Sequence, residues 1–505
     1  MPILLSRANV FVAFVFFLVV LPLISIPLFG IQDDVGRDIL AAFITGIFLA
    51  STGIGLLSGR IRNLSFPFLL SIPLMLLGVA AVSAAYAHGF AIGLASTSFE
   101  LGTAGSFALA LTAFLSSAQL PRAPIRRALI LCITVVSLGA FLSIVFPVSV
   151  RGAFISGEGR QASLYQTTLI TGSAYSDSVS NVLFGVGPGA YSHAWMRYRP
   201  GSFNSDPNWN VRFTAGPSTA TTVAVELGLI GLFGLVLLAA LPVVLCVRAL
   251  AGDQRESAVS LILGSAAMAS VPIIVAFFFR ISLPSFLLAS VGFGFLVRLA
   301  EEKSAPTPMT WNFAIGVCGL LGGIVIASCA LMQFLAAFHD ARADQALREG
   351  KIEEALLSFE RASFFWNIPA SDVRASRAAL GAATQIAQSS PNPDAALLQR
   401  TLGRAMETAD RAIAADPRDY FSWRGRAFVY TSLVAGGLSD KQAEAEESIA
   451  QATQLGPTMP DIFFMAAQLA LLEGKPDEAR ASLSTALGLK ADYEDAQKLL
   501  HSLRR

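Results

Sequence analysis

Between about residues 148 and 219 the sequence holds five arginines, Arg151, Arg160, Arg197, Arg199 and Arg212, against the acidic Glu158, Asp177 and Asp206. A guanidinium binds phosphate oxygens bidentately and keeps its charge at any working pH, so this set suits a diphosphate and its departure without a metal. The plain alternative is a solvated loop, because long loops tolerate positive charge. In the same stretch Gly185, Gly187 and Gly189 stand in Gly185-Val186-Gly187-Pro188-Gly189, where a missing Cβ permits positive φ and close approach of backbone to a ligand; a bare tight turn needs the same glycines. Glu226 lies near the start of a later apolar run, where an ionisable side chain is costly and has either a partner or a task. A general base must come within about 3 Å of the hydroxyl it deprotonates. His193 is the leading candidate, with His88, Glu100, Asp177 and Glu226 behind it.

Other chemistries lack their residues. There are four histidines, no HExxH string and no DxD pair, so metal catalysis and any metal or organic cofactor are not expected. Cys132, Cys246, Cys318 and Cys329 all fall in apolar runs and read as buried thiols rather than disulfides. With a net charge of +1 and no basic tract, a nucleic-acid partner is disfavoured.

The elements that must carry these residues divide sharply. Of the chain's charged residues, 29 precede His339 and 42 follow Phe338, in a sequence that is 54% hydrophobic and only 14% charged. Crossing roughly 30 Å of hydrocarbon takes about 20 apolar residues. Nine runs qualify, near 10–29, 39–57, 66–86, 99–118, 127–147, 220–247, 257–278, 282–298 and 312–337, the seventh and eighth being readable as a re-entrant pair. One set of alternate loops carries ten basic residues, at Arg7, Arg60, Arg62, Arg122, Arg126, Arg127, Arg248, Arg255, Arg298 and Lys303; the short loops of the other carry Arg37 and Arg280. Positive charge stays on the cytoplasmic side. The expected topology therefore has a cytoplasmic N-terminus in a bacterial inner membrane, with the loop at about 148–219 and residues 338–505 in the periplasm.

Residues 338–505 read as a separate domain of Ala-rich amphipathic hairpins. Gly350-Lys351-Ile352-Glu353-Glu354-Ala355 recurs as Gly474-Lys475-Pro476-Asp477-Glu478-Ala479, and both resemble the turn inside a tetratricopeptide repeat. Ala412 to Pro417 and Leu455-Gly456-Pro457 resemble repeat ends, where proline stops the second helix. Four or five units are expected, with insertions around Ser389 to Asp394. The expected fold class is all-α: a polytopic helical bundle at 1–337 followed by an α-solenoid. The solenoid would offer a surface to a protein or glycan partner, or simply cap the membrane domain.

Two stretches carry a resemblance. Gly185-Val186-Gly187-Pro188-Gly189-Ala190-Tyr191, preceded by Gly159-Arg160, and Val225-Glu226-Leu227-Gly228-Leu229-Ile230-Gly231 resemble the signature of the O-antigen ligase and polymerase-like membrane proteins, over roughly Arg151 to Leu250. The resemblance implies a metal-independent glycosyltransferase that moves a glycan from a polyprenyl diphosphate carrier to an acceptor sugar, lipid or protein outside the inner membrane. It implies that Arg160 contacts the diphosphate and that Glu226 is the glutamate at the membrane entrance of the following helix. The sequence departs from the family at Pro217-Ser218, where members carry a His-Asn pair. That departure keeps a second expectation open: a non-catalytic scaffold that binds partners through its repeats.

Overall fold

The computed structural model describes residues 7–20, 33–58, 104–118, 122–145, 161–252, 256–300, 309–389 and 394–503. These residues are helical almost throughout, and the sole β contact among them is an isolated bridge between Gln161 and Ala215. The chain is all-α. It divides into two compact units, one of residues 1–167, 177–189 and 215–334, the other of 168–176, 190–214 and 335–505.

The first unit holds α1 (Arg7–Val20), α2 (Asp33–Leu57), α3 (Ala104–Ala118), α4 (Arg122–Val145), the ends of α5 (Leu164–Asp177), α6 (Val179–Phe184), α8 (Thr219–Gly252), α9 (Glu256–Phe278), α10 (Leu283–Ala300) and most of α11 (Met309–Arg348). Among the described residues five helices, α2, α8, α9, α10 and α11, are long and apolar enough to cross a membrane. The expected third span, 66–86, lies outside the described residues. The seventh and eighth are separate helices, each of sufficient length.

The centre of this unit is α10, buried along nearly its whole length; Arg298 near its C-terminus is exposed. A helix apolar on every side belongs inside a bundle. Two glycines make the packing possible. Residues two apart are separated by about 200° around a helix, so Gly292 and Gly294 serve opposite faces. A Cβ on Gly292 would come 2.5 Å from the Ala269 backbone nitrogen of α9, and one on Gly294 would come 2.5 Å from the Phe114 carbonyl of α3. Small residues at a helix crossing let backbones approach where no hydrophobic drive separates protein from lipid. The cysteines do not follow expectation: Cys132, Cys246 and Cys329 are half-buried and Cys318 is exposed, all as free thiols. An apolar span gives a thiol an apolar outer surface as well as an apolar core, so occurrence in such a run does not require burial.

The second unit is a helical-hairpin solenoid. The last turns of α11 pair with α12 (Ile352–Phe365), then α13 (Pro369–Ser389) with α14 (Ala395–Ala415), α15 (Tyr420–Ala435) with α16 (Gln442–Leu455), and α17 (Pro460–Leu472) with α18 (Pro476–Leu489), before α19 (Glu494–Ser502) closes the array. Three of the four hairpins turn in the same way. Gly350, Gly437 and Gly474 have φ of 73°, 97° and 73°. The N–H after each glycine donates five residues back, Lys351 to the Ala346 carbonyl, Leu438 to Leu433 and Lys475 to Ala470. This is the glycine-closed helix end in which a left-handed residue satisfies the last carbonyls. Pro417 and Pro457 sit just past the ends of α14 and α16, as a residue without an N–H must. Between hairpins the contacts are largely alanine, with Ala379, Ala405, Ala409 and Ala445 fully buried in one cluster with Leu356, Val429 and Leu469.

Candidate functional site

The glycine string and the glutamate string, some 40 positions apart, meet in the first unit. Val186 N–H donates to the Val225 carbonyl and Gly187 N–H to the Glu226 carbonyl, both at 3.0 Å. In an unbroken helix those carbonyls would face N–H groups four residues on. Here α8 is interrupted at Gly228, with φ 62° and ψ −155°, a conformation open to glycine. The approach is backbone to backbone. A Cβ on Gly228 would lie 2.6 Å from the Gly185 nitrogen, and one on Gly185 would overlap the Glu226 carbonyl. Gly185, Gly187 and Gly189 all have positive φ, at 70°, 113° and 71°.

Glu226 is therefore held at a break in a long apolar helix and is 4% exposed. Leu183, Phe184, Leu229, Ile230 and Phe233, on α6 and on α8 just beyond the break, are exposed and give the surface beside the glycine loop an apolar character. The neck of the long loop closes nearby. Ala162 N–H donates to the Ala215 carbonyl at 3.0 Å, and Gln161 bridges to Ala215. The residue following Arg160 is thus pinned opposite Ala215, four positions before α8 begins, and the seven steps of helix from Thr219 to Glu226 rise about 10 Å. Arg160 itself, with Arg151, His88 and Glu100, lies outside the described residues. Ser218 caps α8: its Oγ accepts from the Thr221 N–H at 3.2 Å. A capping hydroxyl is no substitute for an imidazole base.

The other expected site residues are engaged in the second unit. Residues 190–214 form α7 (Tyr191–Tyr198) and a short 3-10 turn, Gly201–Ser205, which pack on helices of the solenoid. Trp195 is enclosed by Phe203, stacked at 5.6 Å, and Phe213, edge-on at 4.6 Å. Arg199 is 1% exposed and not part of an outward-facing cationic surface. It donates to the Trp209 carbonyl and to Asn204 Oδ1, both at 2.5 Å. Burial pushes its guanidinium down to about 10, against the raising influence of Tyr420, Asp461 and Asp206, so it stays charged at neutral pH. Asn204 in turn donates to the Thr458 and Leu489 carbonyls, and Lys490 Nζ donates to the Asn204 carbonyl at 2.8 Å.

His193 Nε2 stands 2.9 Å from Asp416 Oδ2, and Arg212 pairs with Asp419 at 3.3 Å. Burial raises the Asp416 carboxyl, but the His193 hydrogen bond, the Arg418 N–H and the Arg212 charge outweigh it and hold the group below its usual value. Arg197 lies on the exposed side of α7. Sequence reasoning had no means of finding Asp416, Asp419 and Asn204 as partners, because their contacts span up to 286 positions. Asp416 stands in the repeat end Ala412 to Pro417, and Asp419 lies two residues past it. Among the described residues no group of three or more His, Cys, Asp or Glu side chains could hold a metal ion.

No protein-family model matches the chain, and no curated protein matches it. Among solved structures it is similar to a thermophilic TPR protein of Thermus thermophilus, at 22% identity over 36% of this chain and 91% of that one, with a TM-score of 0.28. It is also similar to YrrB, a TPR protein with an unusual peptide-binding site, at 16% identity over 38% of this chain and 82% of that one, with a TM-score of 0.26. The solenoid assignment stands on the hairpins themselves.

Proposed function

We propose that the chain is a bacterial inner-membrane glycan transferase of the O-antigen ligase or polymerase kind, working on the periplasmic face with a polyprenyl diphosphate-linked donor. One observation carries this reading: the two strings that bear the resemblance clasp each other through backbone hydrogen bonds at a broken membrane helix, with Glu226 buried at the break. Backbone irregularity at membrane depth is tolerated where it lines a site, and an ionisable side chain held there has a partner or a task. The exposed apolar side chains beside the glycine loop would receive the isoprenoid tail. In this reading Arg160 and Arg151 hold the diphosphate, and Glu226 orients or deprotonates the acceptor hydroxyl. That hydroxyl attacks the anomeric carbon, the bond from that carbon to phosphate oxygen breaks, and the carrier leaves as the polyprenyl diphosphate. Placement and charge stabilisation supply the rate. His193, Arg199 and Arg212 serve the docking of residues 190–214 onto the solenoid, which recruits an acceptor or protein partner.

Glu226→Gln keeps the size of the side chain and removes its charge, and it should abolish glycan transfer in membranes while the protein remains at its usual level. Arg160→Ala should do the same. Transfer at the wild-type rate in both variants would end the transferase reading. A second reading rests on Ser218 capping α8 where the family has its His-Asn pair. The chain would then be a non-catalytic scaffold, with a groove of about 1160 Å³ along α12, α13 and α14 as its binding surface. Removal of the solenoid would then abolish its role, and neither point change would.

A further inference from the structure

The end of α12 exposes more apolar surface than a water-facing helix should. Phe364 is 83% exposed and Leu357 47%, and they lie on one side of α12 with Arg361 between them. These residues border an open hollow of about 400 Å³, with His339, Glu360 and Phe365. The level of this hollow is fixed by α11. That helix is continuous from Met309 to Arg348, and its apolar run ends at Phe338, with Asp340, Arg342 and Asp344 following. His339 is the first residue past the end, and the Phe365 ring stacks on it at 5.8 Å with planes 3° apart. Phe364 contacts Phe365 at 5.4 Å.

An aromatic cluster at the point where a spanning helix leaves hydrocarbon, beside guanidiniums able to reach phosphates, is the composition of a membrane interface. We propose that the Leu357–Phe364 side of α12 rests in the lipid surface of the leaflet from which α11 emerges, with Phe364 at the acyl boundary and Arg361 on phospholipid phosphates. This contact anchors the first hairpin of the solenoid to the bilayer. The apolar face is accounted for by continuity with the lipid-facing surface of α11, where Leu331 and Met332 are exposed two turns earlier. The proposal requires that α11 cross the membrane, and it is indifferent to any catalytic activity.

Spin labelling of the full chain in proteoliposomes tests it. Cys132, Cys246, Cys318 and Cys329 are first replaced, and a nitroxide is then attached at Phe364→Cys, at Leu357→Cys and, as a water-facing reference, at Glu478→Cys on α18. Relaxation by oxygen, relative to relaxation by a water-soluble nickel chelate, should be several-fold greater at 364 and 357 than at 478. A label at 364 reached by nickel as readily as the reference would show water there and overturn the proposal. A label reached by neither agent would show a protein surface, such as a second copy of this chain, and would overturn it equally.

Discussion

At Gly185 and Gly228 a single methyl group decides whether the clasp forms. Each residue has positive φ, which costs an L side chain about 1–2 kcal/mol, and each would drive a Cβ into the other strand's backbone. Gly189 has the same φ but open space around it. Gly185→Ala and Gly228→Ala should therefore lower the melting temperature in detergent clearly more than Gly189→Ala, which carries only the strain. Equal effects at all three would mean that the close approach is unimportant. A second residue-scale effect concerns Asp372, 1% exposed between Arg411 and Ser363. Burial raises its carboxyl to about 6 in spite of Arg411. The folded chain thus holds this proton more tightly than the unfolded chain, whose carboxyl titrates near 3.9. Its contribution is fully present below about pH 4 and is lost as pH rises through about 6, on the order of 2–3 kcal/mol in all. Amide exchange in α13 and α14, corrected for intrinsic rates, should show protection falling from pH 5 to pH 7, and Asp372→Asn should flatten that slope.

Among the elements, α10 is the one that tolerates least. Gly294→Ala would press on the Phe114 carbonyl and separate α3 from α10, whereas Gly322 on α11 meets nothing closer than Leu49 Cδ2 at 3.7 Å. The first substitution should reduce the folded yield and the second should leave it unchanged, as read by monodispersity in detergent. The 190–214 segment is the second sensitive element. Arg199→Ala would leave the Trp209 carbonyl and Asn204 Oδ1 short of a donor in a closed space, at a cost of about 2–4 kcal/mol. Faster tryptic cleavage after Arg197 should report its release; an unchanged rate would assign the docking to Trp195 and its aromatic neighbours instead.

These two elements also mark how far the sequence could be read. The long apolar helices and repeat turns follow from local rules, apolar run length and glycine or proline punctuation, and Gly350 and Gly474 stand in the turns where the repeated strings placed them. The Gly436-Gly437 turn carries no such mark, because the residues after it do not repeat the Lys-x-x-Glu-Ala pattern of the other two. The docking of 190–214 was illegible for a different reason: five arginines in a loop look alike, and only tertiary contacts separate the buried Arg199 from the exposed Arg197. The clasp between Gly187 and Glu226 is likewise made by backbone atoms, which the side-chain alphabet does not record.

For the molecule as a whole, the split in charge between the two halves of the chain anticipates two physical environments, yet the structural units do not follow a single cut. Residues 190–214 belong with the solenoid while the chain on either side of them belongs with the first unit. This has a consequence for biogenesis. His193 leaves the ribosome 223 residues ahead of Asp416, and Asn204 leaves 286 ahead of Lys490. During that interval His193 and Asn204 lack the solenoid groups they contact, so the segment must wait, open to proteases and chaperones, until the helices that receive it have been translated.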